Sequence, residues 1–514
     1  MMEPQTRQFK GRAREAINNS NLQSALAKLS SGFPARRRQA VARLPEFEAL
    51  RDEARAIKDH VLENLDIYLE RYEAAVLSAG GQVHWCVDAE AARAKIFEIC
   101  EAAGAKTVTK SKSMIGEEIA INEYLEAKGV TPVETDLGEY IIQLRDEPPS
   151  HIIAPAVHLT MDQVAETFMT HHEELDPLRV LDEPRKLLEE ARAQLRDQFI
   201  AADVGLTGAN MLIAETGSNV LVTNEGNADL TYSLPKVHIV IASLEKIVPT
   251  LEDAATVLRV LARSATGQEM SVYTTFCTGP RREADTDGPE EYHVVLLDNG
   301  RSKLIGTEFQ EMLRCIRCGA CLNHCPVYQT VGGHAYGWVY SGPMGSALVP
   351  GLIGLDKASN LPHASTLCGQ CESVCPMRIP LPRMLRSWRQ KQFETKRSGI
   401  FAQAALRAWA ALALRPVLYR WVMGLGIAGL GALGRRRGRF AWLPMAGGWT
   451  AGRDFPAPTG DTFVAQWHKG PRGDASGSWL RKQDPRVSVV RPFLVILSAL
   501  LIIQTATLPR RLRV

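Results

Sequence analysis

Apolar and polar positions follow two different rhythms along the chain, and the change of rhythm divides it. Over residues 47–76, Leu50, Ala54, Ile57, Val61, Leu62, Leu65, Leu69 and Tyr72 recur mostly at steps of three and four, which turns one helical face inward. Residues 1–75 therefore read as a helical region. From 76 to 300, apolar runs of strand length alternate with helical stretches. Strands are expected at 82–86, 106–109, 131–134, 152–155, 211–215, 220–223, 237–242 and 293–297. Helices are expected at 89–104, 115–128, 160–170, 183–206 and 251–264, with Thr160 and Gln163 spaced as a capping box. Such alternation predicts an α/β domain around a mainly parallel sheet.

The pattern changes again after residue 391. Residues 400–414 are rich in Ala and Leu around Arg407, and residues 421–434 are uncharged but short and glycine-rich for a span of about 20 apolar residues. Arg435, Arg436, Arg437 and Arg439 follow, with Trp442 and Trp449. An apolar strip with this border suits a membrane surface, and it equally suits packing against another module or a partner subunit. Residues 447–477 read as loop. Residues 492–509 are apolar and uncharged, at the lower edge of spanning length, between Arg491 and Arg510, Arg511 and Arg513. A membrane segment and a partly buried terminal helix both fit.

Composition adds two constraints. At 514 residues, 45% hydrophobic and 23% charged, the chain is long enough for about three folded domains. Its net charge of +3 conceals an asymmetry: residues 381–514 hold 23 Lys/Arg against 5 Asp/Glu, so the remainder carries −15. A basic tail on an acidic body suits an anionic partner or a lipid surface. No nucleic-acid motif accompanies it, and the Arg36–Arg38 block reads as a solvated helix face. The first ten residues are polar, so no export signal is expected and a cytoplasmic setting is.

Seven of the ten cysteines carry the chemistry. They read Cys315-x2-Cys318-x2-Cys321-x3-Cys325-Pro, then Cys368-x2-Cys371-x3-Cys375-Pro. The first is the bacterial ferredoxin run, whose fourth cysteine serves the other cluster. Crossed ligation gives Cys315, Cys318, Cys321 and Cys375 one iron–sulfur cluster, and Cys325, Cys368 and Cys371 the other. The second set is one thiolate short, because Ser365 stands where a cysteine is expected. That leaves a 4Fe-4S cluster with a non-Cys fourth ligand, or a 3Fe-4S cluster; Ser365 is the nearest oxygen, or simply a cap. Zinc also uses Cys-x2-Cys pairs, but two runs ending in Cys-Pro are unlike a zinc site. Gly319 is expected to let the first run turn tightly. Cys86, Cys100 and Cys277 read as buried free thiols. His324 and His363, near the ligands, read as surface or as donors beside a cluster.

Three polar stretches stand out in the α/β region. Lys110-Ser-Lys-Ser-Met114 between a strand and a helix is an anion-site candidate or an ordinary capped loop. Glu134-Thr-Asp-Leu-Gly-Glu139, with His151 and His158 beyond, offers acid–base groups but reads first as a polar turn. Glu215–Asn219 and Asn224–Asn227 read as Gly/Asn turns. No Walker loop, G-x-G-x-x-G or nucleophile elbow occurs.

The seven-cysteine pattern with Ser365, together with Lys110–Met114, Glu134–Glu139, Ile153-x-Pro155-x-x-His158 and Thr223-Asn-Glu-Gly-Asn227, resembles the iron–sulfur subunit of bacterial lactate utilization systems, the lactate utilization protein B family. The resemblance implies a LUD domain, similar to the sugar-phosphate isomerase and CoA-transferase-like α/β fold, at 76–300. It implies a ferredoxin-like dicluster domain at 301–390, a family-type C-terminal region at 391–480, and leaves 481–514 as a basic, apolar tail. It further implies an electron-transfer subunit of a cytoplasmic complex oxidising L-lactate to pyruvate, with other subunits and a respiratory-chain acceptor as partners. The basic C-terminal region is then a candidate for contact with the inner face of the plasma membrane. Another 2-hydroxy acid such as glycolate, or a non-redox regulatory module with degenerate clusters, are the alternatives; no catalytic residue is assigned.

Overall fold

The computed structural model describes residues 4–395, 399–443, 450 and 453–468. The chain divides into two compact units, one ending at Gln390 and the other beginning at Lys391.

In the first unit, β1 (Gln82–Cys86), β2 (Thr107–Lys110), β3 (Thr131–Glu134), β4 (Val204–Thr207), β7 (Val237–Ser243) and β10 (Glu291–Leu297) form one sheet in the order β1-β10-β7-β4-β2-β3. Every pairing in it is parallel. Parallel strands covered on both faces are apolar throughout. Ile239, Ile241, Val295 and Leu297 face helix Ala89–Ala102, whereas Val240, Ala242, Val294 and Leu296 face helix Leu65–Ser78. A smaller sheet pairs β5 (Met211–Ile213), β6 (Ser218–Thr223), β8 (Ile247–Val248) and β9 (Tyr273–Cys277) in the order β8-β5-β6-β9. The α/β fold with a parallel sheet, expected from the alternating pattern, is present. Cys86, Cys100 and Cys277 are free and buried, as read.

Some expected elements differ. No strand forms at 152–155; the segment turns back, with Ser150 N–H bonded to the Pro155 carbonyl at 3.0 Å. The long helix expected at 183–206 stops at Ala201, and its last residues are β4 instead. Asp203 Oδ2 accepts the Lys106 and Thr107 N–H groups at 2.8 and 2.9 Å, which fixes β4 beside β2. The helix expected at 115–128 breaks into Met114–Ile119 and Ile121–Glu126 at Ala120, a left-handed residue with φ 52°. The capping box of Thr160 and Gln163 is formed.

The insertion between the cysteine runs packs against the α/β layer. Tyr328 Oη donates to the Ser150 carbonyl at 2.8 Å, and Gly333 lies so near Ser150 that a Cβ would sit 1.6 Å from its oxygen. Helix Gly342–Ile353 is buried along most of its length, and Phe309 stacks on Trp388 at 3.8 Å.

The second unit holds helices Ile400–Ala413 and Pro416–Gly434 and a short hairpin, Arg439–Phe440 with Phe455–Pro456. The apolar strip read as too short at 421–434 belongs to a helix that begins five residues earlier. Its 19 residues make it long and apolar enough to cross a membrane by length and composition, and almost none of it is buried. Residues 492–509 lie outside the described residues.

His238 in β7 is fully buried, with Nε2 2.8 Å from Thr207 Oγ1 and Nδ1 without a partner. Burial, then His293, lowers its pKa from 6.5 to about 3. The fold therefore keeps the neutral ring, while the unfolded chain takes a proton below pH 6.5. This contribution is complete above that pH and is lost toward pH 3, at about 1.4 kcal/mol per pH unit. Urea unfolding between about pH 6 and about pH 4 should give a stability slope smaller by that amount in His238→Gln than in the parent. Equal slopes would refute the assignment.

Candidate functional site

The two cysteine runs have the same local fold, fifty positions apart. Arg317 and Gly319 are left-handed at φ 58° and 71°, and Leu367 and Gly369 repeat this at 55° and 85°. One-turn helices Ala320–Asn323 and Gln370–Ser373 follow at matching positions. Left-handed residues either side of Cys318 and of Cys368 bend the backbone around the thiols, and glycine takes one of each pair without a Cβ clash. Backbone N–H groups two residues on point back at side chains: Ala320 at Cys318, Val327 at Cys325 and Met377 at Cys375. Ser365 follows the same rule, its Oγ accepting the Leu367 N–H at 3.1 Å. Its hydroxyl thus stands in the backbone relation of a ligand sulfur.

The fold sorts the seven thiols into two neighbourhoods. Cys315, Cys318, Cys321 and Cys375 interact with one another and line a common cavity walled by Met312, Ile316, Met344 and Met377. Cys325, Cys368 and Cys371 interact with one another, with Cys371 also near Cys321. Cys368 is the exposed member.

The donor set suits iron–sulfur clusters. Burial holds the Cys318 and Cys371 thiols up at about 12 and the Cys375 thiol at about 11, so without a cation they stay protonated. Soft, buried sulfurs in that state call for a positively charged, thiophilic centre. Backbone carbonyls around them are tied down by buried arginines: Arg51 donates to the Cys375 carbonyl at 2.7 Å and Arg37 to that of Val374 at 3.0 Å. Arg389 donates to the Ser365 carbonyl at 2.9 Å. Tyr336, fully buried, stands near Cys321, Cys325 and Cys371.

A cavity of about 230 Å³ joins the first cysteine group to the carboxyl ends of the parallel strands, the usual ligand position in such sheets. Ser111–Met114 after β2, Asp136 after β3 and Thr223–Glu225 after β6 line it, and so do Arg317 and Cys318. The polar stretches at 110–114 and 223–227 therefore meet the cysteine module. Lys246 also lines it, its pKa lowered to about 8, first by burial and then by Arg317. Arg317 donates to Glu245 Oε1 at 3.1 Å from Nη2 and lies over the Tyr340 ring, whereas its Nε and Nη1 have no hydrogen-bond partner. These two cations escaped sequence reasoning. The only signals were an arginine inside a ligand run and a Glu245–Lys246 pair within an apolar stretch.

The segment 134–139 is not a polar turn. Glu134 and Glu139 are buried beside Lys110, which is itself fully buried and 2.6 Å from Glu134. Strands β2 and β3 pair Lys110 with Glu134 in register, and that register brings the charges together. His151 lies elsewhere, buried under the first cysteine turn: a Cβ on Gly319 would meet its ring at 3.1 Å. It bonds Asn323 at 3.0 Å, and burial lowers its pKa to about 3, so it is neutral. His158 pairs with Glu147 at 2.7 Å. His324 Nδ1 donates to the Ala320 carbonyl at 2.9 Å, and His363 ends a 3-10 turn.

Comparison with known proteins agrees with this arrangement. Residues 69–297 match the LUD domain and residues 311–379 the 4Fe-4S dicluster domain, so the cofactors are iron–sulfur clusters. A solved structure of a duf162 family protein from Deinococcus radiodurans is 18% identical over 45% of this chain and 98% of its own, with a TM-score of 0.24, too slight a likeness to weigh. Lactate utilization protein B of Bacillus subtilis is 42% identical over 88% of this chain and 95% of its own length. The protein of that name from Lysinibacillus sphaericus is 41% identical over 91% and 98%, and that from Bacillus velezensis 42% identical over 90% and 97%. With both modules in order and likeness along nearly the whole length, the chain belongs to the lactate utilization protein B family.

Proposed function

We propose that this chain is the iron–sulfur electron-transfer subunit of a complex that oxidises L-lactate to pyruvate. The observation that carries the reading is the sorting of seven thiols from two distant runs into two neighbourhoods, one of which opens beside a cation-lined cavity. The lactate assignment draws on the names of the relatives. Cys315, Cys318, Cys321 and Cys375 hold the first cluster. Cys325, Cys368 and Cys371 hold the second, with Ser365 at the fourth position. When bound, such clusters supply one-electron redox chemistry, so a pair suits a two-electron oxidation.

The chain's own residues set the conditions for this. Arg317 and Lys246 give the cavity the positive charge that a small carboxylate needs. Met312, Ile316 and Met344 keep water from the first thiol group. Arg37 and Arg51 fix the carbonyls of the turn that presents Cys375. The partners are the other subunits of the complex and an acceptor leading to the respiratory chain. The setting is cytoplasmic, with the basic C-terminal region at the inner face of the plasma membrane.

Anaerobically prepared Cys318→Ala should lose about half of the iron and acid-labile sulfide per chain and one of two paramagnetic centres. Ser365→Cys should alter the other centre alone. Zinc without labile sulfide in the parent would end the reading. Deleting the gene in a strain with no other lactate dehydrogenase should abolish growth on L-lactate and spare growth on glycolate. The reverse pattern would transfer the reading to another 2-hydroxy acid.

A further inference from the structure

The buried charges at the edge of the large sheet have no part in the reading above. Lys110 ends β2 and Glu134 ends β3; Glu117 comes from helix Met114–Ile119, and Glu139 from helix Leu137–Leu144. Lys110 Nζ lies 2.9 Å from Glu117 Oε1 and 2.6 Å from Glu134 Oε1. Asn122 Nδ2 donates to the same Glu134 oxygen at 2.7 Å. Carboxylate oxygens of Glu117, Glu134 and Glu139 come within 4.8 Å of one another.

Lys110 and Asn122 leave part of this oxygen set unused. Glu134 Oε2, Glu139 Oε1 and Asn122 Oδ1 are buried and have no hydrogen-bond partner. Glu134 and Glu139 are each 1% exposed. All three residues line one cavity of about 120 Å³, into which Glu123, Glu126, Asp146 and Glu147 also face. A buried carboxylate oxygen without a partner is costly, and structures keep few of them. With all three carboxyls ionised, the single Lys110 ammonium would leave two negative charges uncompensated at the centre. Burial, then Glu117 and Glu134, pushes the Glu139 carboxyl well above its ordinary range.

We propose that Glu117, Glu134 and Glu139, with the Asn122 carbonyl oxygen, form a site for a hard divalent cation of the Mg2+ or Mn2+ type. Oxygen-only donors select such ions over thiophilic ones, and these ions retain water, for which the cavity has room. Two positive charges neutralise the cluster with Lys110 in place. Lys110 holds one oxygen each of Glu117 and Glu134, which turns the remaining oxygens toward the cavity. The ion would brace the ends of β2 and β3 below Ser111–Met114, the segment that lines the larger cavity.

The test is equilibrium dialysis of the full chain, both clusters loaded, against MnCl2, followed by metal analysis. One Mn2+ per chain should bind saturably and be displaced by excess Mg2+. Glu139→Gln and Glu134→Gln should each weaken binding at least about tenfold while keeping their iron. Asp182→Asn, which breaks an exposed ion pair with Lys186 just ahead of helix Pro184–Ala201, should leave it unchanged. In case either glutamine variant loses iron, the melting temperature of the parent is followed as well; it should rise with Mn2+. No saturable binding at millimolar Mn2+ together with a flat melting temperature overturns the proposal, and so does undiminished binding in an iron-replete Glu139→Gln. Either result leaves a sealed ion network that shares a proton.

Discussion

Seven thiols must meet in two groups although they come from runs fifty residues apart, and that requirement organises the first unit. A turn tight enough to present three sulfurs uses up the backbone. Its carbonyls then face outward into protein rather than into a helix ladder, and buried carbonyls need donors. The N-terminal helices supply them. Arg37 and Arg51 reach the turn around Val374 and Cys375 from more than three hundred positions upstream. The helical region that opens the chain is therefore part of the thiol scaffold.

The insertion solves a second problem. Residues 327–367 carry many glycines and aromatics, which by themselves would leave an apolar surface exposed. They are buried against the turn at 148–155 and against the end of the α/β sheet, through Tyr328 on Ser150, Gly333 on Ser150 and Tyr340 on Glu118. Glu118 also holds Arg301 at 2.6 Å, and Arg301 reaches Glu245, which in turn accepts from Arg317 inside the first cysteine run. A chain of buried ion pairs thus runs from the sheet to the thiols. Removing any one member would strand a charge in the interior, which is why such pairs are costly to break singly.

What the sequence disclosed follows from how local each signal is. Cysteine spacing and runs such as 237–242 are read within a few residues; the first led to the iron–sulfur domain and the second to β7. The miss at 183–206 arose because Leu195, Phe199, Val204 and Leu206 continue an apolar rhythm across the end of the helix. The stop comes from Asp203, whose partners lie almost a hundred positions earlier. The break at Ala120 has no glycine to announce it. The segment 134–139 looked like surface because its charges outnumber its apolar residues, and nothing nearby in sequence marks Lys110 as a partner. Lys246 and Arg317 were hidden for the same reason: a buried cation is recognisable only once its counter-charge is placed.

The charged groups among these misses share a place. The fold buries them near the carboxyl ends of β2 and β3, or where those loops and the end of β6 in the smaller sheet converge with the first cysteine run. A protein under stability pressure alone gains little from burying Lys246 and Arg317 there, since an apolar pair of similar volume would avoid their desolvation. Two nitrogens of Arg317 even lack a hydrogen-bond partner, its guanidinium lying over the Tyr340 ring. The groups make physical sense if something anionic occupies the space they line, and two candidates border it: the thiolate donors on one side and a small carboxylate in the 230 Å³ cavity on the other. One arginine set between Cys315 and Cys318 borders both, lining the cavity from within the cysteine run. Arg317 belongs to the cysteine module and Glu245 to the α/β layer, so the bond between them at 3.1 Å ties the two modules together at the edge of that space.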